Sequence, residues 1–173
     1  MIEQFAQVTD LPVEGREFSF TDQRIWLEPI AEFGLSYRVC RPLAAKLLAQ
    51  PHQEGCLISG TLQGSLFMPC ARCAEELEQS IDGEFQEFEP FPGTNPSDEE
   101  AWWIVRREGL LFLDAAGFLW EQLLLALPVK VLCSPQCRGI CVVCGANRNH
   151  VSCRCANQTS DPRLSVLRTL NVS

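Results

Sequence analysis

Lysine is scarce in this chain: Lys46 and Lys130 are the only two among fourteen basic residues, and the rest are Arg. Arg suits bidentate contacts with phosphate or carboxylate, although an arginine-favouring genome composition would produce the same bias. Histidine is limited to His52 and His150, and no H-E-x-x-H, glycine-rich phosphate loop or nucleophile motif is present. A nuclease site needs metal-bound carboxylates or an acid–base pair, so the expectation is a protein that is not an enzyme. The opening MIEQFAQVTDLPVEG has neither a basic region nor an apolar core like a secretory leader. The expected compartment is therefore a reducing cytoplasm. No apolar run is long enough for a membrane span. The most apolar stretch, Leu110 to Leu132, is broken by Asp114, Glu121, Gln122, Pro128 and Lys130, and reads as a strand and a helix. Internal repeats and low-complexity segments are also lacking.

Cysteine, by contrast, is abundant. Six of the ten cysteines fall between Cys133 and Cys155 with spacing C-x3-C-x3-C-x2-C-x8-C-x-C, and Cys70 and Cys73 form a separate C-x-x-C upstream. In a reducing compartment such clusters point to metal or redox chemistry more than to disulfides. Zinc takes four thiolates in a tetrahedron. Cys141, Cys144, Cys153 and Cys155 make one local set, with Gly145 free to close the turn after the C-x-x-C. Cys70, Cys73, Cys133 and Cys137 make a second, which would tie an upstream turn to the chain just after the long apolar helix. One ion held by four tail cysteines, with Cys70 and Cys73 free, is the alternative. His150 reads as a loop residue that could replace one thiol. Cys40 and Cys56 stand apart and read as small buried hydrophobes. A thioredoxin-type motif would open a helix, whereas Cys70 follows a long strand. An iron–sulfur cluster would accept the same ligands, but the C-x-C and the knuckle spacing favour zinc.

Charge divides the chain. Residues 1–128 carry eight basic and twenty-one acidic residues, net −13; residues 129–173 carry six basic and one acidic, net +5. The expected organisation is an acidic α+β body over 1–128 and a Cys-rich zinc-binding tail with a terminal helix over 129–173. Along the body, Glu17–Thr21 and Leu35–Val39 read as short strands. Asp22 suits the cap of a helix to Phe33 that Pro29 would interrupt and Gly34 would end. Pro42–Gln50 reads as a short helix or helical turn. From Cys56 to Met68 the period is two, with Ile58, Gly60, Leu62, Gly64, Leu66 and Met68 on the apolar face. Gly60 and Gly64 mark bulges or a bend. A second extended segment, Ala74–Phe91, follows, so the C-x-x-C lies at a hairpin turn. After a Pro-rich loop, Ala101–Arg106 and Leu110–Leu113 read as strands. Asp114 caps a helix to Leu127, apolar nearly all round and hence buried, with Glu121 and Gln122 on its wet side. Asp161-Pro162 starts a last helix with a Leu164, Leu167, Leu170 stripe. The fold expected is α+β: a curled antiparallel sheet with a packed central helix, a Cys-rich zinc-bound tail and a short C-terminal helix.

Four elements resemble the YceD family, the large ribosomal RNA subunit accumulation proteins. They are Pro69-Cys70-Ala71-Arg72-Cys73, the Trp120–Pro128 helix ending in Leu-Pro, the cysteine tail with Gly139, Gly145 and Asn147, and Asp161-Pro162-Arg163-Leu164 followed by Leu167. They occur in the family's order and span about residues 55–170. Val142 stands where Pro is frequent, and Asn149-His150 where Asn-Glu is usual; neither change removes a thiol. The resemblance implies a bacterial cytoplasmic protein needed for 23S ribosomal RNA accumulation, acting in synthesis, processing, stability or large-subunit assembly. It supplies no catalytic residue.

Two binding roles follow. A non-enzymatic ribosome-biogenesis factor would use Arg138, Arg148 and Arg154 against the phosphates of ribosomal RNA or a pre-large-subunit particle. A protein-interaction module would instead hold a basic ribosomal protein or assembly factor on Glu75, Glu76, Glu78, Glu84, Glu87 and Glu89, without touching RNA. No membrane partner is expected.

Overall fold

The computed structural model describes residues 5–93 and 103–155. The elements in order are β1 (Phe5–Gln7), β2 (Arg16–Phe20), α1 (Arg24–Glu32), β3 (Arg38–Pro51), β4 (Gly55–Pro69), β5 (Glu76–Pro90), β6 (Ile104–Arg107), β7 (Leu110–Asp114) and α2 (Ala115–Ala126). They form two antiparallel sheets, one ordered β2-β3-β4-β5 and the other β1-β7-β6. The fold is thus α+β, with two sheets rather than one. The terminal helix expected from Asp161 lies outside the described residues.

The period-two segment becomes β4, which pairs with β5 without interruption from Gly55↔Pro90 to Pro69↔Glu76. Ile58, Leu62, Leu66 and Met68 are buried, as the alternation requires. Gly64 lies opposite a register irregularity in β3 between Arg41 and Ala44. Its φ is +149°, and a Cβ there would come 2.6 Å from Leu43 Cδ2. The bulge expected at Gly64 is present because only a bare backbone admits Leu43.

Expectations for three elements need correction. Pro42–Gln50 is not a helix but most of β3. Its Ala and Leu residues favour helix locally. Their alternation buries Leu43, Ala45, Leu47 and Ala49 between β2 and β4, and sheet packing overrides propensity. Pro29 does not interrupt α1, which runs on to Glu32 and buries Ile25, Trp26 and Ile30; the proline removes one hydrogen bond, and the packing of that face keeps the turn. The cap position of α1 falls to Gln23, without a side-chain cap hydrogen bond, and not to Asp22, whose Oδ1 still accepts from the Arg24 backbone N–H at 3.0 Å.

The third correction concerns α2. Asp114 caps it, its Oδ1 accepting from the Gly117 N–H at 3.2 Å. Phe118, Leu119 and Leu123 are fully buried, but Leu124 and Leu125 are exposed, and Gln122, expected on the wet side, is buried. The helix rests against β5 on one sheet and β1 and β7 on the other, so one stripe is covered and the opposite one is not. Phe85 and Phe118 meet edge-on at 5.7 Å, and Phe33 of the α1 cap stacks on Trp120 at 6.1 Å.

Glu89 is the body's one buried carboxylate among the described residues. Burial pushes its pKa up to about 6; a hydrogen bond from the Trp103 backbone opposes this, and Glu121 and Glu87 reinforce it. The folded protein therefore holds this proton more tightly than the unfolded chain. Stability should fall as pH rises through about 4.5 to 6 and stay lower above. Glu89→Gln removes that fall. Urea titrations should show a gain of about 1–2 kcal/mol at pH 7.5 and none at pH 4.

Candidate metal centres at the hairpin tip and in the tail

The β4–β5 turn is Cys70 to Glu75, closed by the Cys70 N–H donating to the Glu75 carbonyl at 2.8 Å and the Ala74 N–H donating to the Cys70 carbonyl at 2.9 Å. Ala74 has φ +61°. The tail contains the same device: Gly145 has φ +71°, and its N–H donates to the Cys141 carbonyl at 2.8 Å. Both are C-x-x-C turns ended by a left-handed residue, a shape that points two thiols out of one loop. Gly145 announced its turn; the alanine at the equivalent place hid the other. Ala74→Gly relieves a left-handed alanine, so chemical denaturation should show a gain of about 0.5–1 kcal/mol.

The chain after α2 returns to the hairpin tip. The Ala71 N–H donates to the Val131 carbonyl at 2.8 Å, and the Ile140 N–H to the Arg72 carbonyl at 3.1 Å. Arg72 donates from Nη1 to the Cys137 carbonyl at 2.9 Å. These bonds set Cys70 Sγ 3.8 Å from Cys137 Sγ and Cys73 Sγ 3.6 Å from Cys133 Sγ. The four sulfurs of Cys70, Cys73, Cys133 and Cys137 all lie within 4.8 Å of one another. Cys141, Cys144, Cys153 and Cys155 form a second group to the same limit. Each group could hold a metal ion. A tetrahedral ion with metal–sulfur bonds of about 2.3 Å sets sulfurs about 3.8 Å apart, and the Cys70–Cys137 and Cys73–Cys133 pairs of the first group already stand near that spacing.

Electrostatics fit the same chemistry. Burial opposes ionisation of Cys70, but backbone N–H groups of Cys133, Arg72 and Cys73 together pull its pKa down to about 6. The Cys133 N–H approaches that sulfur at 3.4 Å and the Arg72 N–H at 3.5 Å. In the second group, the Cys144 and Val143 N–H groups bring Cys141 to about 6. Cys133, beside Cys137 and Cys73, and Cys155, beside Cys144, are driven up to about 12. So each group has a sulfur prepared to ionise and neighbours that resist a second negative charge. A cation removes that conflict.

Asn149 joins the two groups. From the loop between Cys144 and Cys153, its Nδ2 donates to Cys137 Sγ at 3.3 Å while Oδ1 accepts from the Arg138 N–H at 2.8 Å. His150, expected in the loop or as a stand-in ligand, instead meets Glu75 at 2.7 Å. Sequence reasoning missed Arg72, Asn149 and the Glu75–His150 contact as fastenings. Their partners lie 65, 12 and 75 residues away, and no local signal reports that. Cys40 and Cys56 stay outside both groups; Cys56 is buried in the core.

Arg138, Arg148 and Arg154 are all exposed, and none of them forms an ion pair among the described residues. The acidic run on β5 is less available than its composition suggests. Glu76 pairs with Arg38 at 2.7 Å, Glu78 with Arg41 at 3.3 Å and Glu75 with His150. Glu89 is buried, leaving Glu84 and Glu87 exposed and without ion pairs among the described residues.

The family model described as "Large ribosomal RNA subunit accumulation protein YceD" matches residues 58–171. The chain belongs to the YceD family. The match starts in β4 and takes in both C-x-x-C turns and all eight clustered cysteines. The family's name ties this YceD chain to accumulation of the large ribosomal RNA. No curated protein and no solved structure matches it. No helix among the described residues is long and apolar enough to cross a membrane.

Proposed function

We propose that this YceD chain is a non-enzymatic bacterial, cytoplasmic factor for 23S ribosomal RNA accumulation and large-subunit biogenesis. Structural zinc would occupy both thiol groups and present an Arg-bearing surface to ribosomal RNA or a pre-large-subunit particle. The observation that carries this reading is the pair of four-sulfur groups interleaved with Arg138, Arg148 and Arg154. Cys70, Cys73, Cys133 and Cys137 would hold one ion, and Cys141, Cys144, Cys153 and Cys155 the other. Zinc suits four thiolates and supplies charge compensation and rigidity. With its four positions filled by sulfur, it offers none to a substrate, so the ions would fasten rather than catalyse. The tail over 129–173 would then be a small module held on the acidic body. Its net +5 drops by about two when the local site is metallated, since an ion with four thiolates carries −2.

Filter binding of zinc-loaded protein to 23S ribosomal RNA fragments tests this reading. Binding at physiological salt should weaken on combining Arg148→Ala with Arg154→Ala, and the slope of log affinity against log salt should fall by about 2. Unchanged binding would remove the Arg surface from the reading. Copurification of a basic ribosomal protein without RNA would favour the protein-interaction role, for which Glu84 and Glu87 on β5 are the carboxylates of the acidic run left exposed and without ion pairs among the described residues.

A further inference from the structure

β5 is the outer strand of its sheet, and no strand among the described residues pairs with its other edge. Two hollows of about 260 Å³ each lie along it, where α2 passes over the strand. Gln122 and Leu125 line both. Asp82 and Glu84 line one hollow, Glu87, Glu89 and Glu121 line the other, and no Lys, Arg or His lines either.

Two further features point to an occupant. Gln122 is only 6% exposed and lines both hollows, so a polar side chain faces them from α2. Leu125, on the shared rim, is 67% exposed. Carboxylates on an outer strand also keep two copies from pairing edge to edge. That role does not require a leucine left on the rim of the hollows.

We propose that the open edge of β5 beneath α2 is a docking groove for an extended basic segment of a partner protein. The segment adds as a strand, its backbone pairing with β5, its Arg or Lys side chains facing Asp82, Glu84, Glu87, Glu89 and Glu121, and an apolar side chain covering Leu125. Gln122 supplies a donor and an acceptor to the seated chain. Nucleic acid is repelled by the same five carboxylates, so the groove is separate from the Arg surface of the tail. The inference uses the protein-interaction role and does not depend on RNA binding.

The probe is a fluorescently labelled peptide about ten residues long, Lys at most positions with Val at its centre so that both faces of the added strand carry charge, added to the full zinc-loaded chain at physiological salt. Saturable binding is expected. Combining Glu87→Gln, Glu89→Gln and Glu121→Gln should weaken it about tenfold or more, and Leu125→Ser should weaken it too. Amide exchange over Gln79–Glu89 should slow on binding. The charge-matched change Glu14→Gln, Glu28→Gln and Glu32→Gln should leave affinity intact, as should Arg148→Ala with Arg154→Ala. Absence of binding overturns the proposal, as does an equal loss in the charge-matched variant, since the attraction would then belong to the whole acidic body. Loss of RNA binding on the arginine changes, with peptide binding kept, touches only the RNA reading.

Discussion

Cys73→Ser is expected to free the tail from the body. Cys73 sits at the hairpin tip, 3.6 Å from Cys133, so its thiol is one of the two that would reach from the body to an ion shared with the tail. Losing it leaves three sulfurs, two of them from the tail, and only the hydrogen bonds of Ala71, Arg72 and Ile140 and the exposed Glu75–His150 contact then hold the returning chain. A structural ion couples binding directly to folding, and loss of such a site belongs with the largest single-residue effects, above about 4 kcal/mol. The expected result is rapid proteolysis between residues 129 and 155, with a strong drop in thermal stability. A chelator should reproduce it in the unaltered protein. Cys153→Ser should behave differently. It opens the group contained within the tail, so the second C-x-x-C turn becomes protease-sensitive while melting of the body changes little.

The second large effect is expected from Phe118→Ala. Phe118 is fully buried, and its ring meets Phe85 on β5 from a helix that also touches β1 and β7. Removing the ring opens a cavity where the two sheets are joined, at a cost of about 3–5 kcal/mol. Urea denaturation should show the midpoint falling by that equivalent, and Phe118→Leu should recover much of it. If α2 were only a surface helix, the loss would stay near 1 kcal/mol or below.

What the sequence disclosed depended on the range of its signals. The β4–β5 hairpin was legible because its alternation has period two and Gly64 marks the bulge. The Asp114 cap was legible because a short side chain binds its own helix three residues on. Counting the eight cysteines in fours gave the two groups the structure brings together, but the sequence equally allowed one ion held within the tail with Cys70 and Cys73 free. β3 was not legible: Leu43, Ala45, Leu47 and Ala49 form a buried strand face only because β2 and β4 flank them. The ion pairs within the acidic run were hidden for the same reason, because Arg38 and Arg41 on β3 meet Glu76 and Glu78 across the sheet. Ala74 hid the likeness between the two C-x-x-C turns, since alanine gives no hint of a positive φ. The exposure of Leu124 and Leu125 was equally hidden in a helix that is apolar on nearly every side.

Native mass spectrometry of the full chain purified without chelator tests the central claim most directly. Two zinc ions per chain are expected, falling to one in Cys73→Ser and one in Cys153→Ser, with the retained ion at the undisturbed group in each case. One ion or none in the unaltered chain, or a Cys73→Ser protein that still binds two, would contradict a zinc clamp between the hairpin tip and the tail.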